Sequence, residues 1–376
     1  MRMSEWKEYQ LGDLLKIKYG KDHKKLGVGN IPVYGSGGIM RTGDAYLSDK
    51  PSVLIPRKGT LSNIFYVEDP FWTVDTMFWS EINDSIVIPK YLYYAIKDYK
   101  WDSLNVGSAV PSLTVPVIES VSVSIPSLET QQKITSQLSE IDDKITVNRQ
   151  ICENLESQAH ALFKHWFIDF APFKDGKFVE SDLGMIPEGW RVGKLTEIAD
   201  YLNGLAMQKF PPLSDDDAIP VLKIKELGQS RCDNNSDKCS KQIKAEYIIK
   251  DGDVVFSWSG TLLVDIWCGG ICGLNQHLFK VTSDNYPKWF YLMWTKHHLS
   301  EFIRIAKDKA VTMGHIKRSD LEKALVAIPD KSVLDKMSEL MNELVDAIIN
   351  MRLESTRLSA LRDALLPKLM SGQIKL

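Results

Sequence analysis

The chain has 376 residues, 44% of them hydrophobic and 25% charged, which predicts about two to three folded domains and excludes long disordered segments. No stretch approaches about 18 uncharged apolar residues, and the N-terminal residues lack the apolar core of a signal peptide. We therefore expect a cytoplasmic protein with no membrane partner. The net charge of −3 excludes a uniformly basic coat for nucleic acid, and the five cysteines suit a reducing compartment.

Residues 1–126 alternate short apolar runs with turn signals, which predicts a mixed α and β module. Strands are predicted at residues 52–56, 63–67 and 85–88, a helix between Lys90 and Lys100, and strand spacing again from Val115 to Ile125. Charge is segregated here, since residues 1–58 carry 11 Lys or Arg against 6 Asp or Glu. Such a basic surface is compatible with contact to phosphate and equally with plain solubility.

A long helix is predicted next, because the chain from Leu128 to about Phe167 has no Gly or Pro. Its apolar residues step by four and three, the period of a coiled-coil seam. The seam residues are Ile134, Leu138, Ile141, Ile145, Asn148, Cys152, Leu155, Ala159, Leu162 and Trp166. Asn148 either fixes the register of this seam or is a tolerated polar residue, and the sequence leaves both readings open.

The chain then repeats itself after a predicted linker at residues 171–189. Trp6, Leu11, Leu14 and Gly20 recur as Trp190, Leu195, Ile198 and Gly204, each 184 residues later, and Ile125-Pro126 recurs as Ile328-Pro329, 203 residues later. Residues 190–329 are therefore predicted to form a second module of the same kind, with a longer polar insertion at residues 231–238.

A second long helix is predicted within residues 330–376. Its seam residues, at the same offset of 203, are Met337, Met341, Leu344, Ile348, Met351, Ser355, Leu358, Arg362, Leu365 and Leu369. Pro329-Asp330 and a capping box from Ser332 to Asp335 mark its start, and Ser371-Gly372 marks its end.

The predicted fold class is α+β. Two similar mixed α/β domains are separated by two long antiparallel helices, which form an intramolecular coiled coil with a pseudo-twofold axis. Helices of roughly 36 residues would each span about 54 Å. Packing of the helices on separate domains, or pairing between two chains, remains the alternative.

Catalytic and metal sites are not predicted. Cys268 with Cys272, and Cys232 with Cys239, match no usual zinc spacing and have no counterpart in the first copy. The chain has no phosphate-binding loop of the Gly-x-x-x-x-Gly-Lys-Ser/Thr type. The histidines of the second copy lack counterparts too, so we interpret them as surface or core residues and not as catalytic residues. A zinc-dependent nucleotide enzyme is the remote alternative.

The junctions between modules and helices carry a family resemblance. The segments are Ile125–Gln132, Leu162–Phe170, Leu183–Trp190, Ala310-Val311 and Leu365–Gly372. In this order, over the whole chain, they resemble the specificity subunit of type I restriction–modification systems. The second helix departs further from the pattern, because Asp335 stands where the first copy has Gln132.

The resemblance implies a non-catalytic DNA-binding subunit that reads a bipartite, asymmetric site. Residues 1–126 and 190–329 would be target recognition domains, and residues 127–170 and 330–376 the conserved helical regions. Two methyltransferase subunits would dock on the helices, and restriction subunits would join them. S-adenosylmethionine, ATP and Mg²⁺ would be used by those partners and none by this chain. A coiled-coil scaffold whose domains bind proteins is the alternative.

Base readout requires side chains with forked or paired hydrogen-bonding groups on loops between rigid elements. The candidates are Lys21, Lys24, Lys25, Arg41, Arg57, Lys58 and Thr60 in the first copy, and Lys209, Lys223, Lys225, Trp258, Thr261, Gln276, His277, Lys317 and Arg318 in the second. Of these, Lys317 and Arg318, with Lys307, Lys309 and His315, are expected to face phosphate. The two Gly-Thr turns, Gly59-Thr60 and Gly260-Thr261, lie 201 residues apart, yet different residues precede them. A solvated surface role remains open for each candidate.

Overall fold

The computed structural model describes residues 6–308, 314–374 and 376. The described residues fall into two compact units. The first unit comes from the Met1–Asp143 and Ser359–Leu376 parts of the chain, and the second unit is Lys144–Leu358. The predicted segment boundaries stay predictions, because compact units and recognition modules are different divisions of a chain.

The first unit contains short strands and helices. Its strands are β1 (Lys7–Gln10), β2 (Leu15–Tyr19), β3 (Ile31–Gly35), β4 (Gly38–Gly43), β5 (Ser52–Pro56), β6 (Phe65–Val67), β7 (Trp72–Thr73), β8 (Met77–Ile82) and β9 (Ser122–Ile125). Its short helices are α1 (Leu11–Leu14), α2 (Pro89–Ile96) and α3 (Val115–Glu119). The sheets have the strand orders β2-β8-β5-β6, β4-β3-β7 and β1-β9.

Two strand predictions in this unit are wrong for identifiable reasons. Residues 85–88 form a turn and the approach to α2, because the Gln131 side chain takes their backbone groups. It accepts from Ile88 N at 2.8 Å and donates to Ile86 O at 3.0 Å. Residues 115–119 form α3, where Pro116 lies in the first turn, a position that favours helix. Only β9 continues the predicted strand.

The first long helix, α4, spans Leu128–Phe167, as predicted. A 3-10 helix at Ala171–Phe173 and a hairpin of β10 (Phe178–Ser181) and β11 (Gly184–Pro187) follow it. The predicted linker therefore has secondary structure of its own.

The second unit repeats the element order of the first. Its remaining strands are β12 (Arg191–Lys194), β13 (Asp200–Asn203), β14 (Ala218–Leu222), β15 (Lys238–Ser240), β16 (Ile248–Ile249), β17 (Val254–Ser257), β18 (Leu263–Ile266), β19 (Cys272–Leu274), β20 (Leu278–Thr282) and β21 (Leu325–Ile328). Its helices are α5 (Leu195–Ile198), α6 (Ile224–Gln229), α7 (Lys288–Asp308) and α8 (Arg318–Lys323).

The two units share one sheet topology. The order β13-β20-β17-β18 matches β2-β8-β5-β6, and β12-β21 matches β1-β9. In the sheet β15-β14-β19-β16 the first three strands match β4-β3-β7, and β16 is an additional edge strand. A parallel strand pairing recurs as well, between β3 and β7 and between β14 and β19. The prediction of two similar mixed α/β modules is confirmed. The units differ most in their helices, since α7 has 21 residues where α2 has 8.

The second long helix, α9, spans Lys331–Met370 and packs against α4. In the second unit, Asn148 Nδ2 donates to Glu354 at 2.7 Å and Arg352 bonds to Glu156 at 2.7 Å. From Asn148 to Glu156 the residue numbers rise along α4, while those of their partners on α9 fall from Glu354 to Arg352. The two helices are therefore antiparallel, as predicted. In the first unit, Arg362 bonds to Asp142 at 2.8 Å, while Ile134, Leu138, Leu366 and Leu369 enter one apolar core.

Two details of the helices differ from the prediction. Near the end of α4 the buried residues are Phe163 and Phe167, and the predicted Leu162 and Trp166 are only half-buried. The two phenylalanines lie in an aromatic cluster of the second unit, with Phe163 edge-on to Trp294 at 5.0 Å. At the start of α9, the capping group is Asp330, which accepts from Val333 N at 3.0 Å. It replaces the predicted box because its carboxylate also holds Ser332.

Candidate nucleic-acid interface

Both units build the same turn at the end of their central sheet. Gly20 N donates to Met77 O at 3.1 Å in the first unit, and Gly204 N donates to Leu278 O at 2.9 Å in the second. A Cβ on either glycine would overlap a backbone carbonyl oxygen, that of Val74 or Asn275. Glycine is required at both positions because two backbone segments approach closely there.

The two Gly-Thr turns are held in matching ways. The matched hydrogen bonds run from Gly59 N to Pro111 O (3.0 Å) and from Leu113 N to Arg57 O (2.9 Å) in the first unit, and from Gly260 N to Gly314 O (2.9 Å) and from Ile316 N to Trp258 O (3.1 Å) in the second. An isolated antiparallel β-bridge joins Lys58 to Ser112 in the first unit, and an equivalent bridge joins Ser259 to His315 in the second. The predicted equivalence of these turns is therefore a property of the backbone, and Arg57 and Trp258 occupy equivalent places.

The matched turns at Gly20 and Gly59-Thr60, and at Gly204 and Gly260-Thr261, form one frame in each unit. This frame also includes Tyr19, Val74, Asp75, Thr76 and Asn203, which sequence reasoning missed. Asn275, Gln276 and His277 correspond to Val74, Asp75 and Thr76, because Arg57 N donates to Thr76 O (2.8 Å) as Trp258 N donates to His277 O (3.4 Å). Tyr19 and Asn203, each directly before its frame glycine, also correspond. The repeat offsets of 184 and 201 contained this signal, since they map Gln276 onto Asp75 and Asn203 onto Tyr19.

Arg57 is the predicted reader that the first unit orients most clearly. Its guanidinium carbon lies 5.6 Å from the centroid of the Tyr19 ring, and its Nη1 donates to Asp75 O at 3.2 Å. The side chain is half-buried at the end of β5, and Thr60 beyond it is exposed. Strand ends from three parts of the chain thus meet around one cation.

The lysine-rich loop between β2 and β3 is held from within the unit. Arg41 donates through Nη2 to Leu26 O at 3.1 Å and Gly27 O at 3.2 Å, so its guanidinium supports this loop. Lys21, Lys24 and Lys25 are exposed on the same loop. The three ammonium groups are therefore free to approach phosphate while Arg41 contributes mainly to the shape of the loop.

In the second unit, four predicted residues line one cleft of about 660 Å³. They are Lys223, Lys225, Gln276 and His277, and the cleft also includes Gln208, Asp237, Lys238 and Asn275. Its walls combine ammonium, amide and imidazole groups, which can donate to and accept from base edges. Sequence reasoning missed Lys238, the last residue of the polar insertion and the first of β15.

The charge of this cleft is partly balanced from within. Lys223 forms an ion pair with Asp237, and Lys225 Nζ lies 3.6 Å from Asp233 Oδ2. Both carboxylates belong to the polar insertion at residues 231–238. The insertion therefore lowers the net positive charge of the cleft.

Trp258 borders the same region. Its Nε1 donates to Asn203 Oδ1 at 2.9 Å, and its ring lies 6.0 Å from that of His277. His277 is fixed further by Ser259, whose Oγ lies 3.0 Å from Nδ1. The indole is half-buried and presents an aromatic surface with its only donor engaged.

The remaining candidates lie outside the cleft. Lys209 ends a 3-10 helix, Thr261 is the second residue of its Gly-Thr turn, and Lys317 caps α8, which begins at Arg318; all of them are exposed. Lys307 is exposed at the end of α7, whereas Lys309 and the Ala310-Val311 segment lie outside the described residues. Contact between DNA and any of these side chains stays a prediction.

Four of the five cysteines are buried. All five cysteines are free, and burial raises the pKa of the Cys268 and Cys239 thiols to about 11. In the part of the chain that the structure describes, no group of three or more His, Cys, Asp or Glu side chains is placed to bind a metal ion. Across the same residues, no helix combines the length and apolar composition needed to cross a membrane.

Comparison with known proteins identifies the family. A family model described as the type I restriction modification DNA specificity domain matches residues 3–157 and again residues 187–356. The chain is 31% identical over 342 residues to the type I restriction enzyme MjaIX specificity subunit of Methanocaldococcus jannaschii, covering 87% of this chain and 78% of that protein. It is 21% identical over 460 residues to the type I restriction enzyme HindI specificity subunit of Haemophilus influenzae, covering 99% and 100%.

A solved structure supports the fold. The S subunit of a type I restriction–modification system from M. genitalium superposes with a TM-score of 0.58 at 14% identity, covering 97% of this chain and 96% of that one. The two matches of the DNA specificity model fall on the two copies of the repeat, and together they cover most of the sequence. The chain therefore belongs to the family of type I restriction–modification specificity subunits.

Proposed function

We propose that this chain is the non-catalytic, sequence-reading subunit of a type I restriction–modification complex, and that each unit reads one half of a bipartite, asymmetric DNA site. The observation that carries this proposal is one hydrogen-bonded turn frame, built twice, with different side chains on it. Two identical readers would select an inverted repeat, because the symmetry of a site follows that of its reader. Arg57 in one frame and Trp258 in the other favour unlike half-sites.

Binding would combine two kinds of contact. Exposed lysines such as Lys24, Lys25 and Lys317 suit phosphate, and Arg57, Gln276 and His277 have the groups that read base edges. The phosphate contacts should make affinity fall with salt, with a slope of log affinity against log salt that decreases by about 0.9 for each lysine contact removed. The base contacts should determine the sequence.

The paired helices would be the docking surface for two methyltransferase subunits, with restriction subunits joining the complex. Exposed apolar side chains on both helices support this, among them Val147 and Ile151 on α4 and Leu340 and Leu361 on α9. S-adenosylmethionine, ATP and Mg²⁺ would be used by those partners, and the complex would act in the cytoplasm.

Single-molecule methylation mapping of DNA from cells that express the complex tests the proposal directly. We expect methylated adenines in a motif of two short, unlike half-sites with a fixed gap. The matched control is a strain that expresses the methyltransferase subunit without this chain, in which the motif should be unmethylated. A second measurement mixes the purified complex with random duplexes. Binding of these duplexes without any preference would favour a protein-binding scaffold and contradict the proposal.

The role of the helices in setting the gap has its own test. Inserting one heptad into both α4 and α9 lengthens each helix by about 10 Å and keeps the seam in register. We expect the gap to grow by about three base pairs, at 3.4 Å each, with both half-sites unchanged. An insertion of equal length at the exposed Asn234 is the control and should leave the gap as it was. An unchanged gap in the helix variant would contradict the role of the helices.

A further inference from the structure

Arg57 and Trp258 stand at one position of a shared frame but have opposite chemistry. Each follows the third strand of its central sheet, and each accepts the same backbone hydrogen bond through its carbonyl oxygen, from Leu113 N and Ile316 N respectively. The residue beside each of them, Tyr19 or Asn203, is equivalent too. A difference between the two half-sites should therefore be concentrated at this pair of positions.

The guanidinium of Arg57 is oriented before any ligand binds. Tyr19 lies beneath it at 5.6 Å, and the Tyr19 ring is fixed by an edge-to-face contact with Phe78 at 5.1 Å. The hydrogen bond to Asp75 O uses one of the five guanidinium N–H groups. The planar fork of the remaining donors matches a pair of acceptors on one edge, and guanine presents such a pair, O6 and N7, in the major groove.

Trp258 cannot make that contact. Its single donor, Nε1, is engaged by Asn203 Oδ1 at 2.9 Å, and its ring packs against Phe279 at 5.7 Å. What remains is an apolar surface, which suits the methyl group of thymine and has no complement for guanine O6 and N7.

We propose that Arg57 reads a guanine in the first half-site, that Tyr19 is the positioning residue for its guanidinium, and that the Trp258–Asn203 pair gives the second half-site no such guanine. This inference rests on the proposed function, since it names the base that one of the two readers selects. Tyr19 acts through Arg57. Its ring is 57% exposed, so its replacement removes little core packing.

The test is selection from duplexes in which every base pair of both half-sites is randomised, using the full chain with its methyltransferase subunit. The wild type should enrich a guanine at one position of one half-site. Arg57→Gln should lower that preference by about 5- to 150-fold and leave the other half-site intact. Arg57→Lys should lose it as well, because lysine keeps the charge but lacks the fork.

Tyr19 separates positioning from simple stability. Tyr19→Leu should lower the same guanine preference by about two- to fivefold, the range for an exposed cation–π contact. Tyr19→Phe keeps the ring and should restore it. Asn203→Ala is the matched control in the second unit and should leave the first half-site unchanged.

The outcomes distinguish the two claims. If no motif is enriched by the wild type, the proposed function fails. If a bipartite motif is enriched but no guanine depends on Arg57, or Tyr19→Leu and Tyr19→Phe behave alike, only this inference is overturned.

Discussion

The two turn frames show which parts of a reading module can change. Matching backbone hydrogen bonds hold both frames, for example 3.1 Å from Gly20 N and 2.9 Å from Gly204 N. The side chains on them differ, since Arg57 carries a cation where Trp258 carries an indole. A frame of this kind tolerates new side chains because its own bonds are made by backbone atoms. The side chains on each frame can therefore diverge without refolding the unit.

The units also differ in how the helices are attached. In the second unit, Arg352 bonds to Glu156 on α4 and to Asp265 on β18, at 2.7 and 2.9 Å. In the first unit, Arg362 bonds to Asp142, which also accepts from Tyr94 at 2.6 Å. Each unit thus has a half-buried arginine on α9, but at positions that the repeat does not relate.

Arg352→Met should have the largest effect on stability. It leaves two half-buried carboxylates without their cation, and breaking such an ion pair from one side costs about 3 kcal/mol. Urea denaturation should show this loss, and hydrogen exchange should locate it in the second unit. Arg149→Met is the matched control, since the Arg149–Glu153 pair is 71% exposed on each side and contributes at most about 0.5 kcal/mol. Equal effects of both changes would contradict the assignment.

The frame glycines should come next. Gly20→Ala and Gly204→Ala each force a Cβ onto a carbonyl oxygen and should each destabilise one unit by about 2 kcal/mol. Gly37→Ala is the control, because its Cβ would meet no heavy atom within 4 Å. Thermal unfolding of the three variants measures the difference. A free energy loss at Gly20 but none at Gly204 would show that the two frames are less alike than their hydrogen bonds.

A third difference between the units is acid sensitivity. Burial, with a smaller contribution from His297, lowers the pKa of His298 on α7 from 6.5 to about 4, and His298 Nε2 hydrogen-bonds to Leu325 O at 2.9 Å. Because the folded pKa lies below the unfolded value, the stabilisation is present above about pH 6.5 and is lost as the pH falls toward 4. Between pH 8 and pH 5.5 the loss should be about 1.4 kcal/mol.

Denaturation of the wild type and of His298→Gln across this pH range checks the effect. The variant should be less stable at neutral pH but should lose this part of the pH dependence. Equal slopes for the two proteins would exclude His298 as the origin.

The smallest effect is expected at the seam, where Asn148 of α4 corresponds to Met351 of α9. Asn148 is fully buried, and among the described residues its Oδ1 has no hydrogen-bond partner. Asn148→Met should therefore stabilise the chain by about 1 kcal/mol, with Lys144 remaining 3.5 Å from Glu354. Asn342→Met, on an exposed face of α9, is the control for thermal unfolding. A lower melting temperature, or a mixture of oligomers, would show that Asn148 is needed for register.

Elements with a signal in their own residues could be predicted from the sequence. The bounds of α4 follow from forty residues without Gly or Pro and from a seam period that no strand would show. The apolar run at residues 85–88 has a local composition that is typical of a strand. Its structure is decided by Gln131, more than forty residues away, which no local pattern contains.

The site was predictable to a similar degree. The Gly-Thr turns are visible in the repeat, but Tyr19 and Asp75 reach Arg57 only because β2, β8 and β5 pair side by side. The surroundings of the candidate lysines in the second unit could not be predicted either. Lys223 and Lys225 face carboxylates of the polar insertion, a pairing that depends on how that loop folds back.

The first unit draws its core from two segments that lie on either side of the second unit in the sequence. Leu366 and Leu369 are buried together with Leu11 and Trp101, although more than two hundred residues separate them along the chain. During synthesis, the ribosome releases the whole second unit before these leucines emerge. The earlier segments of the first unit therefore keep part of their apolar surface uncovered until Leu366 and Leu369 have been translated, and uncovered apolar surface favours aggregation.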